Sequence, residues 1–140
     1  MTPEEYITKH EGMKLKPYKD TVGKLTIGVG RNLDDNGINE DEAIYMLKND
    51  IKNTQQDLKS IFKDFNELPD NVKLALTDMM FNMGKTRFLE FHKMIKAVKD
   101  KNFKEAAKQA KDSKWCKQVK NRCEDNFNLL YSIYKMHGLS

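Results

Sequence analysis

At 140 residues the chain is one domain's length, and with 39% hydrophobic and 33% charged residues it has enough apolar side chains for a core and too few for a membrane span. Its 25 basic residues against 21 acidic ones leave a formal charge of +4, a mild excess that suits an anionic polymer without selecting one. No run of about 18 apolar residues occurs, and Met1-Thr2-Pro3-Glu4-Glu5 places acids where an export signal carries bases, so the expectation is a cytoplasmic product without stable membrane association.

Thr2 as N-cap, Pro3 in the first turn and Glu5 at N3 predict a short helix that ends at Glu11, before Gly12. From Leu15 to Val29 the pattern alternates, with Leu25, Ile27 and Val29 inward, Thr26, Gly28 and Gly30 on the other face, and a turn around residues 21–24. A sheet lobe over about 13–38 is expected. Asn39 and Glu42 form a capping-box variant ahead of a linking helix over about 40–60, whose stripe is Ile44, Leu47, Ile51, Leu58, Ile61 and Phe62. After Leu68-Pro69-Asp70, residues Val72, Ala75, Leu76, Met79, Met80 and Met83 mark a central core helix stopped by Gly84. Further helices are predicted at 86–100, 102–111, 114–119 and 121–136. The fold class is α+β: a small early sheet, then a helical lobe over about 61–140 with residues 1–12 packed on it. Cys116 and Cys123, seven residues apart in this helical-looking region and without a second pair, read as free or buried thiols.

Three side chains could share one groove. Glu11 stands where the first helix runs out, Asp20 enters the turn, and Thr26 lies on the strand face opposite Leu25 and Ile27. A loop of five residues, 21 to 25, would set Asp20 and Thr26 opposite each other with β-carbons about 5 Å apart. Gly28 and Gly30 prolong that face without side chains, which lets an extended substrate approach the backbone. Glycoside hydrolysis needs one acid to protonate the leaving oxygen and one carboxylate to help water attack the other side of the sugar. Glu11 suits the acid, since burial between two lobes would favour its protonated form, and Asp20, nearer solvent, suits the carboxylate. Spacing alone favours solvated surface carboxylates, since most lone carboxylates are of that kind.

The runs His10-Glu11-Gly12, Pro17-Tyr18-Lys19-Asp20, Thr26-Ile27-Gly28-Val29-Gly30, Phe81-Asn82-Met83-Gly84, Ser113-Lys114-Trp115 and Asn121-Arg122 resemble the phage-type lysozymes, the endolysins of glycoside hydrolase family 24. The resemblance covers nearly the whole chain, and Glu11, Asp20 and Thr26 match the family's catalytic spacing without a gap. It implies a lysozyme-like α+β fold and a muramidase that cuts the β-1,4 bond between N-acetylmuramic acid and N-acetylglucosamine in peptidoglycan, with inversion. In that reading Glu11 is the general acid, Asp20 and Thr26 position the water, and Arg122 orients Glu11. The resemblance also implies substrate contacts from Gly30, Asn32, Phe81, Asn82, Met94 and Gln109. No metal or cofactor is expected. The partner is peptidoglycan, reached by a monomer that waits in the host cytoplasm and meets the cell wall after release. Many relatives carry histidine directly after the second strand glycine. This chain has Arg31, so support built on a histidine–aspartate pair is lost or replaced.

Other motifs read as structure. Gly28-Val29-Gly30 lacks the third glycine of a nucleotide loop, and the stretch from Asn32 has Ala43 where a calcium loop needs a bidentate glutamate. His10, His92 and His137 are dispersed, and Met79, Met80, Met83 and Trp115 read as core. The lysines from Lys96 to Lys111 read as a solvated face, or as an attraction for anionic wall polymer. The competing class is a non-catalytic module that grips wall glycan. Nucleic acid is disfavoured because acids alternate with the bases through 99–112 and no stacking aromatics interleave them.

Overall fold

Thr2 opens the first helix, α1 (Pro3–Glu11), by accepting a hydrogen bond from the Glu5 N–H at 3.1 Å, and Gly12 ends it. The computed structural model describes residues 1–136, with side chains described through residue 132, so His137 lies outside the described residues. A three-stranded antiparallel sheet follows in the order β1 (Lys14–Lys19), β2 (Leu25–Gly28), β3 (Arg31–Asn32). Asn32 then caps a one-turn helix, α2 (Leu33–Asn36), inside the stretch read as a sheet lobe; its Oδ1 accepts from the Asp35 N–H at 3.0 Å.

The hairpin closes sooner than the sequence suggests. Tyr18, not Asp20, stands opposite Thr26, and Asp20 donates its N–H to the Lys24 carbonyl at 2.9 Å, leaving a turn of residues 21–23. The cause is local. Asp20 Oδ1 accepts from the N–H groups of Val22 and Lys24 at 3.0 and 2.8 Å, and Gly23 at φ 85° supplies the left-handed residue that a tight return requires. The expected inward pair, Leu25 and Ile27, is only half-buried, while Thr26 is 3% exposed. Thr26 sits mid-sheet between Tyr18 and Asn32, and its hydroxyl donates to the Lys24 carbonyl at 2.9 Å, so its burial strands no polar group.

Helix α3 (Glu40–Ile61) starts on the predicted capping box, with Asn39 N–H to Glu42 Oε1 at 2.9 Å and Glu42 N–H to Asn39 Oδ1 at 2.8 Å. Its apolar stripe is unevenly covered: Ile44 and Leu47 are exposed, whereas Leu58 and the following Phe62 are buried. The chain divides into two compact units, Met1–Leu47 and Lys48–Ser140, with the boundary inside α3. Among the described residues of the first unit, Thr26 alone is buried.

The second unit is helical and holds the core. α4 (Asp70–Met83) buries Val72, Ala75, Leu76, Thr77, Met79, Met80 and Met83 and stops at Gly84, as its all-round apolar pattern predicts. The predicted helix over 86–100 is two helices, α5 (Lys85–Phe88) and α6 (His92–Lys99). Phe88 and Met94 are both fully buried, yet six residues along one helix would point them about 120° apart, and the break lets both enter the core. α7 (Phe103–Lys111), α8 (Lys114–Val119) and α9 (Asn121–Met136) follow; α9 packs on α4 and α7, and α7 on α6.

Cys116 and Cys123 form a disulfide, which overturns their reading as free thiols. In an unbroken helix residues seven apart lie about 10 Å apart along the axis. Here α8 ends at Val119, Lys120 turns at φ 50°, and the chain doubles back enough to bring the α-carbons to 5.0 Å.

Candidate active site

Glu11, Asp20 and Thr26 all belong to the first unit. Asp20 stands across from Lys24, so Asp20 and Thr26 are diagonal neighbours on one sheet face rather than directly opposed, a spacing of about 7–8 Å between α-carbons. The turn fixes Asp20 through Oδ1, while Thr26, its proton given to the Lys24 carbonyl, keeps its oxygen lone pairs for accepting. Glu11 is exposed, so the burial expected from its place in the sequence is not found. Its position is nonetheless defined: a β-carbon at Gly30, φ 73°, would fall 2.7 Å from Oε2 and 3.1 Å from Cδ of Glu11. The carboxylate therefore rests directly on the Gly30 backbone, a seat that only glycine leaves open.

Asn32, expected to touch substrate, also serves the fold, capping α2 and donating from Nδ2 to Asp35 at 2.9 Å. Asp34 Oδ2 accepts the Leu25 N–H at 2.7 Å, tying α2 to β2. Arg31 forms a bidentate pair with Glu42, Nη1 to Oε1 and Nη2 to Oε2 both at 2.7 Å, with Nη1 also donating to the Gly37 carbonyl at 3.2 Å. Hydrogen bonding from Arg31, then the Asn39 N–H, brings the pKa of the Glu42 carboxyl down to about 2. A glutamate on the first turn of α3 thus supplies the counter-charge to Arg31.

The remaining predicted residues lie in the second unit. Phe81 is exposed, and Asn82 Oδ1 accepts from the buried Trp115 Nε1 at 2.8 Å. Met94 of α6 and Gln109 of α7 meet in a pocket of about 370 Å³ with Phe91 and Ser113, where Gln109 donates to Glu105 at 2.9 Å. Arg122 donates from Nε and Nη2 to Asp78 at 2.8 and 2.7 Å, and Asn126 adds a third bond to Asp78 at 3.0 Å. The Arg122 bonds hold the pKa of the Asp78 carboxyl below its ordinary value and raise the guanidinium's own. Among the described residues, no group of three or more His, Cys, Asp or Glu side chains could hold a metal ion, and no helix is long and apolar enough to cross a membrane.

A model of the phage lysozyme family matches residues 8–126, a span that holds every site residue from Glu11 to Arg122. The chain belongs to the phage lysozyme family. Two probable T4-type lysozymes of Dictyostelium discoideum are similar at 32% and 33% identity, each alignment covering 80% of this chain and 83% of the relative. The pre-baseplate central spike protein Gp5 of Enterobacteria phage T4 is 29% identical over 87% of this chain and 26% of its own length. This chain is thus a lysozyme, a glycoside hydrolase with the α+β fold of its family. Sequence reasoning misses two partners of the lysozyme's site residues, Tyr18, which faces Thr26 across the hairpin, and Asp78, which takes Arg122; it also misses Glu42, which takes Arg31 beside Gly30. Tyr18 is within reach of the sequence once the turn is drawn at three residues; Asp78 lies 44 positions from Arg122 and leaves no local signal.

Proposed function

We propose that this lysozyme hydrolyses the β-1,4 bond between N-acetylmuramic acid and N-acetylglucosamine of peptidoglycan, with inversion. Glu11 gives its proton to the leaving oxygen, and Asp20 with Thr26 holds the water that attacks the opposite side of the sugar, the roles an inverting pair about 6.5–9.5 Å apart requires. The observation that carries this reading is the Thr26 hydroxyl, whose proton is committed to the Lys24 carbonyl so that its oxygen can accept from a water that Asp20 also binds. Substrate laid over the exposed Glu11 would exclude bulk water from the proton transfer. Gly30, Asn32, Phe81, Asn82, Met94 and Gln109 are the proposed sugar contacts, and Arg122 a supporting group. The lysozyme acts as a monomer on the wall after release from the cytoplasm.

Glu11→Gln tests it. Clearing of purified sacculi should slow by about 10²–10⁴-fold, with a melting temperature within about 2 °C of the parent because an exposed side chain is changed. Undiminished clearing by Glu11→Gln removes Glu11 from the mechanism. A fresh product of the β rather than the α anomer, read by proton NMR, removes inversion.

A further inference from the structure

We infer that the Arg31–Glu42 ion pair positions Glu11, acting through the Gly30 backbone on which the Glu11 carboxylate rests; its catalytic consequence rests on the proposed role of Glu11 as the acid. Strand β3 is two residues long, and Gly28 and Gly30 on either side of Val29 have φ of 70° and 73°, so the segment under Glu11 has wide backbone freedom. Packing does not restrain it, since Val29 and Arg31 are only partly buried and Gly30 is exposed. Beside the short ladder to β2, the restraint comes from the guanidinium. Arg31 follows Gly30 directly, pairs with Ile27 across β2, and grips Glu42 at 2.7 Å through both Nη atoms and the Gly37 carbonyl at 3.2 Å through one. Glu42 is immobilised in turn by its capping box with Asn39 on the first turn of α3. One planar side chain therefore pins a flexible strand end to a loop and to a 22-residue helix.

Two further features separate positioning from stability. The pair's side chains are 39% and 37% exposed, and ion pairs of that kind contribute little to global stability. Yet a carboxylate packed against the Gly30 backbone takes its place in part from that backbone, and displacement of an acid by about 1 Å costs rate on the order of 10²-fold. The expected signature is a loss in turnover without a matching loss in melting temperature.

The test compares the parent with Arg31→Gln, the charge exchange Arg31→Glu with Glu42→Arg, and Asp100→Asn, which breaks the unrelated surface pair Lys96–Asp100. Three quantities are read: kcat and KM on a soluble muropeptide chain, melting temperature, and the side-chain carboxyl ¹³C resonance of Glu11, assigned by its loss in Glu11→Gln. Arg31→Gln should lower kcat at least about tenfold with KM within about twofold, shift the Glu11 resonance, and keep most of its thermal stability. The exchange should recover much of the kcat and return the resonance toward its parental place, and Asp100→Asn should change none of the three. An unmoved Glu11 resonance in a folded Arg31→Gln overturns the inference whatever the rate does. So does a kcat loss that disappears when each protein is assayed equally far below its own melting temperature. A shifted resonance with undiminished kcat leaves the positioning intact and points instead to failure of the acid role, which Glu11→Gln checks directly.

Discussion

Residues Met1–Leu47 bury one described side chain, Thr26, whereas the unit from Lys48 onward encloses Leu58, Phe62, Leu76, Met79, Phe88, Met94 and Leu130 at 1% exposure or less. The two are organised by different forces. In the first, geometry is set by directional polar bonds: the Asp20 turn, the Asn32 cap, the Asn39–Glu42 box and the Arg31 fork. In the second it is set by apolar packing, with the Phe62 and Phe88 rings edge to face at 6.4 Å. Charge divides the same way, since the first unit has nine acids to six bases and the second nineteen bases to twelve acids. A region held by hydrogen bonds can place carboxylates that a packed core would have to desolvate. Its substitutions should therefore change position and rate, and those in the core should change stability.

The widest contrast is between Phe88 and Leu15. Phe88 is fully buried, and Phe88→Ala should cost about 3–5 kcal/mol of unfolding free energy in urea titration. Leu15 on β1 is 83% exposed, and Leu15→Ala should stay within about 0.5 kcal/mol. Equal losses at the two sites would mean that the sheet residues are held by packing after all, and the division would fail.

The disulfide sharpens the comparison inside the second unit. Closing a loop of seven or eight residues removes unfolded-chain entropy worth about 2–3 kcal/mol, so a reductant, or Cys116→Ser with Cys123→Ser, should lower the melting temperature by roughly 6–12 °C. A change below about 2 °C would show that the α8–α9 turn is fixed by the burial of Trp115 and Cys123, both 2% exposed or less, and not by the bond.

What can be read from the sequence follows the same line. α1, the capping box of α3, the core helix α4 and its stop at Gly84 are signalled by neighbouring residues, and each is found. The hairpin register differs because one aspartate serves two purposes: Asp20 reads as a groove carboxylate, and its side chain also closes the turn two residues early. The break between α5 and α6 and the pairing of Cys116 with Cys123 depend on where the chain bends, which local propensity does not encode. Of the site, the chemistry-bearing residue types are legible, and their partners are not. Arg31 with Glu42 and Arg122 with Asp78 join residues 11 and 44 apart, a distance over which only the folded chain decides the pairing.

Those two arginine pairs make the finest test, because each belongs to a different unit and each depresses a carboxyl. Asp78 and Glu42 are held below the ordinary carboxylate range, Arg122 and Arg31 being the largest causes, and the Glu42 pKa falls to about 2. A group whose folded value is depressed stabilises the fold above its unfolded value, about 4, and loses that contribution as pH falls through the folded value. Melting temperature should therefore decline as pH falls below about 4 through Asp78, which ties helices of the packed unit together, while protonation of Glu42 toward about pH 2 loosens only the sheet unit. Asp78→Asn should lower the neutral-pH melting temperature by a few degrees and flatten the acid decline, since Asp78 ties α4 to α9 through Arg122 and Asn126. Glu42→Gln should barely move the global transition, because its partner lies in the unit without a packed core, and should appear instead as faster amide hydrogen exchange around Arg31. If Glu42→Gln flattened the acid decline as much as Asp78→Asn, the ion pair of the sheet unit would be a stability element on a par with the core's own, and polar bonds and packing would no longer divide along the boundary within α3.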